Sequence, residues 1–403
     1  MKILMWLSIG LDRRTPSEHL FNAIVEQLYK EGHTVHVLQK GTNGDRPILT
    51  EVMTELGVTT TCIKVNQSKK NNFVNRYLND LNYVRKCKKY IKNSDANRIF
   101  LQSSNVAGYQ MRYLKKYLKN VPVTFNVQDI FPENAGYTNK IKFGSYAYNF
   151  FAKWQHKAYE QSTNIITISE DMKDEIINAG IDEKKIHVVY NWSYQDEVYN
   201  PEEMNCEVVN KILKDEYFNV VYAGNIGLMQ NVDVLVKAAE LLKENNKIKF
   251  HIIGNGLYRS KLEEYVKDHE VCNVEFHDML DSKFAPYIYC KADVNVIPLA
   301  EKIYKTALPS KTATCLASQR PIIFAIGKES EFGEKAYEQT GAVVVDSDDY
   351  IKLSEAIMKF YNGNFKYNSS LFYTQNFKKS QNAKEYSKTL CDICRYVNMY
   401  VEK

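Results

Sequence analysis

Apolar positions in this chain follow two alternating rhythms. Short apolar runs recur, and between them lie longer stretches in which apolar residues stand three and four apart. The runs Lys2–Ile9, Thr34–Gln39, Thr59–Val65, Arg98–Gln102, Val121–Val127 and Asn164–Ile168 read as strands. Glu18–Glu31 reads as a helix, with Leu20, Phe21, Ile24, Val25 and Leu28 on one face and Gly32 at its end. Strand, helix, strand in regular succession predicts parallel sheets covered by helices on both faces.

The rhythm breaks between Asn191 and Glu216, a stretch with Pro201 and clustered acidic residues. A second set then follows: Asn219–Ala223, Lys249–Gly254, Asn273–His277, Ala292–Pro298, Pro321–Ala325 and Ala342–Val345, with helices such as Val232–Lys243 between them. The division is therefore a first α/β domain over 1–195, a linker over 196–216, a second α/β domain over 217–378 and a final helical segment over 379–403. Open parallel sheets bind ligands outside the carboxyl ends of their strands, so two such domains imply a cleft for a two-part substrate. The last segment carries Tyr386, Leu390, Ile393 and Val397 in helical register, fit to cap the second domain or to return to the first.

Composition narrows the class. The chain has 403 residues, of which 44% are hydrophobic and 25% charged, and a formal net charge of +5. These values suit a globular protein, and so mild a charge makes no case for nucleic acid. No apolar run is long enough to cross a membrane, and Lys2–Ile9 is too short for a secretory segment. Eight scattered cysteines without an export signal point to a reducing cytoplasm. Cys391 and Cys394 form one C-x-x-C without a second pair, and none of the eight histidines stands at metal-ligand spacing. No metal is expected on that reading.

Candidate chemistry gathers at strand exits. Leu308-Pro309-Ser310-Lys311-Thr312 lies between two strand-like runs and reads as a loop feeding a helix. That end of a helix favours an anion, so a lysine in its first turn is poorly placed unless a diphosphate shares the site. Tyr222-Ala223-Gly224-Asn225-Ile226-Gly227 and Ile253-Gly254-Asn255-Gly256 are two further exits where glycine lets a backbone approach a phosphate, though tight turns would explain either alone. In the first domain, Asp129 follows the strand Val121–Val127, with Glu133 a short way on. A carboxylate there could orient or deprotonate a hydroxyl, or simply cap a turn.

The stretch Lys64–Lys92 sets nine basic residues, among them Lys69, Lys70, Arg76, Arg85, Lys86, Lys88 and Lys89, against the single acid Asp80. Aromatic residues and further lysines follow through Trp154. A basic face with aromatics suits an anionic membrane surface, with a solvated helix face as the plain alternative. No nucleic-acid-binding signature accompanies it.

With these residues in view, the chain resembles the family 4 glycosyltransferases, most nearly those of bacterial capsule and O-antigen synthesis. The likeness rests on Glu31-Gly32-His33-Thr34-Val35, Val127–Glu133, Ile166–Met172, Val189–Trp192, Tyr222–Gly227 with Gln230, Ile253–Gly256, and Leu308–Lys311 with Leu316-Ala317. It implies a GT-B fold: two Rossmann-like doubly wound domains facing across a cleft, with the C-terminal helix crossing back to the first. It further implies a nucleotide-sugar donor, with UDP expected, in the second domain. A polyprenyl-diphosphate-linked saccharide would be the acceptor, transfer would be retaining, and neither metal nor cofactor would be needed.

Carried over by position, Gly224, Asn225, Gly227 and Gln230 would line the diphosphate, Asn255 would lie near the donor, and Met279 and Leu280 near the base. Ser310, Lys311 and Thr312 would meet the phosphates, and Asp129 falls at a first-domain active-site position. Two departures stand out. Thr306 and Thr314 occupy positions where many relatives carry glutamates, and Thr15-Pro16 stands where a double glycine is usual. The missing glutamates leave open a catalytically silent, membrane-docked partner of another transferase. A nucleotide-sugar epimerase on the same fold is a further alternative. Nothing in the sequence sets an oligomeric state.

Overall fold

A computed structural model of the chain describes residues 1–11, 18–41, 49–65 and 73–392. The Thr15-Pro16 loop, Lys69, Lys70, Ile393, Cys394 and Val397 lie outside the described residues. The chain divides into two compact units, one made of Met1–Tyr190 together with the chain from Ser380 onward, the other of Asn191–Lys379.

The first unit holds seven strands: β1 (Lys2–Trp6), β2 (Thr34–Gly41), β3 (Thr59–Lys64), β4 (Arg98–Gln102), β5 (Val123–Asn126), β6 (Asn164–Thr167) and β7 (Ile186–Val188). They pair in the order β3-β2-β1-β4-β5-β6-β7, every pairing parallel. The central strands β4, β5 and β6 are almost wholly buried, and for that reason they read as unbroken apolar runs rather than alternating ones. The edge strand β7 has three residues, too few to show a period, and the sequence reading passes over it.

The second unit repeats the plan with β8 (Phe218–Ala223), β9 (Ile248–Ile253), β10 (Val274–His277), β11 (Val294–Pro298), β12 (Ile322–Ala325) and β13 (Val343–Val345). Their order is β10-β9-β8-β11-β12-β13, again all parallel. In both sheets the order reverses after the first strand, between β1 and β4 and between β8 and β11. Such a reversal opens a crevice at the carboxyl ends of the two strands that flank it. The core of the second unit packs Val220, Tyr222, Phe250, Ile252 and Val296 against helix residues such as Leu235 and Leu353, all of them buried.

The stretch expected to be a linker carries a single 3-10 turn, Pro201–Glu203, and a short helix, Glu207–Asn210. It is tied into the second unit by the Tyr199 amide, which donates to Ala317 O at 2.8 Å, and by Gln319 Nε2, which donates to Tyr199 O at 2.7 Å. Buried Tyr199, Val209 and Leu213 anchor it as well, too widely spaced along the chain to read as a stripe.

The last described helix, Lys379–Cys391, packs on the first unit. Asn382 donates to Tyr190 O, Asn164 to Thr389 O, and the Tyr386 hydroxyl to Asn126 Oδ1 at 3.1 Å. The Ser387 hydroxyl donates to Glu31 Oε2 at 2.5 Å. The helix therefore crosses back to the first Rossmann-like unit, as the resemblance implies.

Candidate active site

Because β8 lies between β9 and β11, the exits of these three strands are neighbours. The first two are zipped together by main chain. Gly224 N donates to Ile253 O at 2.9 Å, Ile226 N to Asn255 O at 3.0 Å, and Tyr258 N to Ile226 O at 3.1 Å. A Cβ on Gly254, where φ is +154°, would stand 1.8 Å from Gly224 O, and one on Gly256 would stand 2.0 Å from Ile226 O. Glycine is required here because one backbone rests directly on another. This narrows the expectation that the Gly224–Gly227 backbone approaches a phosphate: the amides of Gly224 and Ile226 are spent within the protein. Asn225 Nδ2 donates to Gln230 Oε1 at 2.9 Å, and the Tyr222 hydroxyl donates to Asn225 O at 2.5 Å, so the loop is braced from both sides.

Lys311 comes from the third exit. It stands at the N-cap of the helix Thr312–Ala317, one position before the first turn in which the sequence reading placed it. Its Nζ lies 3.7 Å from the centroid of the Tyr222 ring and 2.8 Å from where a Gly224 Cβ would be. Burial pushes its ammonium down to about 7, and among the described residues no carboxylate is paired with it. Thr312 is 1% exposed, and its Oγ1 is buried without a hydrogen-bond partner. Ser310 beside it is exposed. A cation lacking a counter-ion and an orphaned hydroxyl sit one residue apart under a glycine turn, which suits an incoming anion.

The two threonines at the usual glutamate positions turn inward. Thr306 is fully buried and donates to Ile303 O at 3.1 Å, and Thr314 accepts from the Ser193 hydroxyl at 3.2 Å. Asn255 is also engaged: its Oδ1 accepts from Arg259 Nη1 at 2.8 Å. Arg259 reaches Gly254 O, His277 O and Asp278 Oδ1 as well, clamping the exits of β9 and β10. Sequence reasoning missed Arg259, although it opens the helix Arg259–Asp268, where a cation is unfavourable by dipole alone. That is the same anomaly that drew attention to Lys311. Met279, 50% exposed, and the half-buried Leu280 follow β10 directly.

In the first unit, Asn126 ends β5, and its Oδ1 accepts from both Gln128 Nε2 and the Tyr386 hydroxyl. The C-terminal helix thus steadies the loop carrying Asp129. That side chain is exposed to solvent; protein around the loop pushes its carboxyl up to about 6, a shift that contact with water tempers. It caps no turn among the described residues. Glu133 opens the helix Glu133–Tyr137; its Oε1 accepts from the Tyr148 hydroxyl at 3.2 Å, and its Oε2 is buried without a partner. Burial raises its carboxyl above the ordinary range.

Arg76, Arg85, Lys86, Lys88 and Lys89 are exposed on the helix Phe73–Lys92. Asp80 is neutralised by Lys40 at 2.6 Å, and Lys86 donates to Lys64 O. Arg85, Lys88 and Lys89 share a side with the exposed Val74 and Leu78, whereas Arg76 lies about 180° round the helix from Arg85. Tyr146, 97% exposed, and Phe150, 45% exposed, add aromatic surface on the helix Tyr146–Gln161. No helix among the described residues is long and apolar enough to cross a membrane. Spacing along the chain gives no ligand set, but the pairing of β9 with β10 gathers His251, Glu275 and His277.

Comparison with known proteins bears on the family and the fold. Residues 18–192 match the model of Glycosyltransferase Family 4, and residues 217–362 that of Glycosyl transferases group 1. WbjE of Pseudomonas aeruginosa, described as a glycosyltransferase, is 22% identical over 244 residues, 60% of this chain and 60% of its own length. WcaI of Escherichia coli K12, described as a colanic acid biosynthesis glycosyl transferase, is 23% identical over 236 residues, 57% of this chain and 55% of its own. The matched stretches thus span less than two thirds of those relatives. HepE of Anabaena, solved in complex with UDP, superposes with a TM-score of 0.70 at 13% identity, covering 97% of this chain and 99% of its own. WaaG, a glycosyltransferase involved in lipopolysaccharide biosynthesis, gives 0.66 at 12% identity, covering 96% and 99%. The fold is GT-B, and the chain belongs to glycosyltransferase family 4.

Proposed function

We propose that this protein transfers a sugar from a nucleoside diphosphate donor, UDP-linked and carrying an N-acetylated amino sugar, to a polyprenyl-diphosphate-linked saccharide in surface polysaccharide synthesis. The observation that carries the reading is the meeting of Lys311, Thr312 and the Gly224 turn at adjacent strand exits. Complexes of HepE with UDP and the naming of WbjE and WcaI support the donor class and the reaction class.

In the step, the bond from the anomeric carbon to the diphosphate oxygen breaks and the acceptor oxygen bonds to that carbon. Negative charge grows on the departing diphosphate, where Lys311 and the Thr312 hydroxyl stabilise it. The Asn225 and Gly227 amides complete the contact. The acceptor proton passes to a donor phosphate oxygen on the face of departure, giving retention and calling for no metal in the transfer step. Asp129 orients the acceptor hydroxyl, and Glu133 supports the same loop. Arg85, Lys88 and Lys89 with Tyr146 rest on the anionic inner face of the cell membrane, which brings a lipid-linked acceptor within reach. The test is calorimetry of the full chain with a panel of nucleotide sugars, followed by transfer assays. Binding of a UDP-sugar and not of the free sugar is expected. Well-folded protein that binds no sugar nucleotide overturns the reading.

Thr306 and Thr314 favour one second reading, a silent partner of another transferase. Both are buried and turned to protein partners, so neither offers the carboxylate that grips a ribose. Donor binding without transfer or hydrolysis by the purified chain would select it.

A further inference from the structure

The edge of the second sheet carries a side-chain cluster that sugar transfer does not use. In the parallel pairing of β10 with β9, Glu275 stands beside His251, and His277 lies two residues further along the same strand. All three therefore project from one face. His251 Nδ1 is 3.2 Å from His277 Nε2 and 3.8 Å from Glu275 Oε2, and the last two atoms are 3.7 Å apart. A point in that triangle equidistant from its corners lies about 2.1 Å from each, the length of zinc–imidazole and zinc–carboxylate bonds.

The protein also fixes which nitrogen of His251 faces the triangle as a lone pair. Buried Asn219 donates its Nδ2 to Lys214 O at 3.0 Å and to Tyr217 O at 3.1 Å. Its Oδ1 is thereby left as an acceptor, 3.1 Å from His251 Nε2. His251 must donate from Nε2, so its Nδ1 carries no proton. An outer partner that sets the tautomer of a histidine is the usual support of a metal ligand. The His251 side chain is 2% exposed, that of His277 21% and that of Glu275 47%, so the triangle is anchored at its base and open to water at its rim.

We propose that His251, Glu275 and His277 form a zinc-binding site, three protein ligands with a fourth position filled by water, that pins the edge strand β10 to β9. Two imidazoles and one carboxylate are a donor set zinc accepts. The ion would also steady the strand's exit, because His277 O accepts from Gly254 N at 2.9 Å and from Arg259 Nη1 at 3.1 Å. The site does not depend on the transfer reading. It replaces the expectation that no histidine ligates metal.

The test uses the full-length protein stripped by a chelator and titrated with Zn²⁺ against a chromophoric competitor, then with Co²⁺ as a spectroscopic probe. One equivalent of zinc and the visible bands of four-coordinate cobalt are expected. Glu275→Gln and His277→Gln, both at the open rim, should each weaken binding by about a hundredfold or more, while Cys272→Ser should leave it unchanged. The same 3.2 Å spacing would also fit a plain hydrogen bond from His277 to His251. Absence of four-coordinate cobalt, or zinc affinity equal in wild type and both rim variants, establishes that bond instead and overturns the site.

Discussion

The Lys311 ammonium lies over the ring of Tyr222, 3.7 Å from its centroid, directly beneath the Gly224 turn. The aromatic face holds the cation in place without neutralising it, leaving its charge for a ligand. Lys311→Ala should therefore lower turnover about a hundredfold to a thousandfold, the cost of one preorganised electrostatic contact. Lys311→Met should lose turnover equally while leaving the melting temperature the same or higher, since a half-buried cation is replaced by an apolar chain. Near-wild-type turnover in either variant removes Lys311 from the mechanism.

The same ammonium links binding to pH. It is pushed down to about 7 in the folded protein, against an ordinary value near 10.5, so the unfolded chain binds more protons between those limits. Its contribution to stability therefore rises with pH across that window. A diphosphate would draw the proton back. Calorimetry of UDP binding at pH 8 in two buffers of different ionisation enthalpy should show net proton uptake, absent in Lys311→Met. Equal heats in the two buffers contradict the linkage.

Gly254→Ala should destabilise the second unit by about 3 kcal/mol, because a methyl group there meets Gly224 O and strains the φ of the residue. Chemical denaturation measures it. Gly363→Ala is a useful comparison, since its φ of +71° is only the milder left-handed strain and its methyl group would meet nothing within 4 Å.

Glu133 titrates above the ordinary carboxylate range because it is buried. The folded state then holds a proton that the unfolded chain has already released, and stability falls as pH rises through that interval. Glu133→Gln should raise the melting temperature at pH 7, and the gain should vanish at pH 4. If Glu133 acts only as support for its loop, turnover in Glu133→Gln should keep the wild-type pH profile.

Lys88→Glu combined with Lys89→Glu should abolish sedimentation with vesicles of mixed phosphatidylcholine and phosphatidylserine. Wild-type binding should weaken as salt rises, each lysine near the surface being worth about 1 kcal/mol. Binding that ignores both charge and salt rules this face out.

The sheets were legible because their central strands are buried on both faces and read as unbroken apolar runs. Gly32 as the end of the first helix was legible for a local reason: at φ +76° it takes the left-handed turn that stops a helix. Features that depend on pairing across a sheet were not legible. The meeting of His251 with His277 needs the register of β9 and β10, and no spacing along the chain reveals it. The spent amides of Gly224 and Ile226 follow likewise from β8 lying beside β9. Lys311 fell between the two cases. Its misfit with the helix dipole was visible locally, but its seat on Tyr222 needed β8 and β11 to be neighbours.

The return of the Lys379–Cys391 helix makes the second unit an insertion within the first. A gene cut after residue 190 would lack the Tyr386 hydroxyl that ties down Asn126, and with it part of the first unit. The intervening stretch is contiguous. Reassembling the leading half calls for a gene with residues 191–379 deleted, in which the terminal helix is spliced directly to Tyr190.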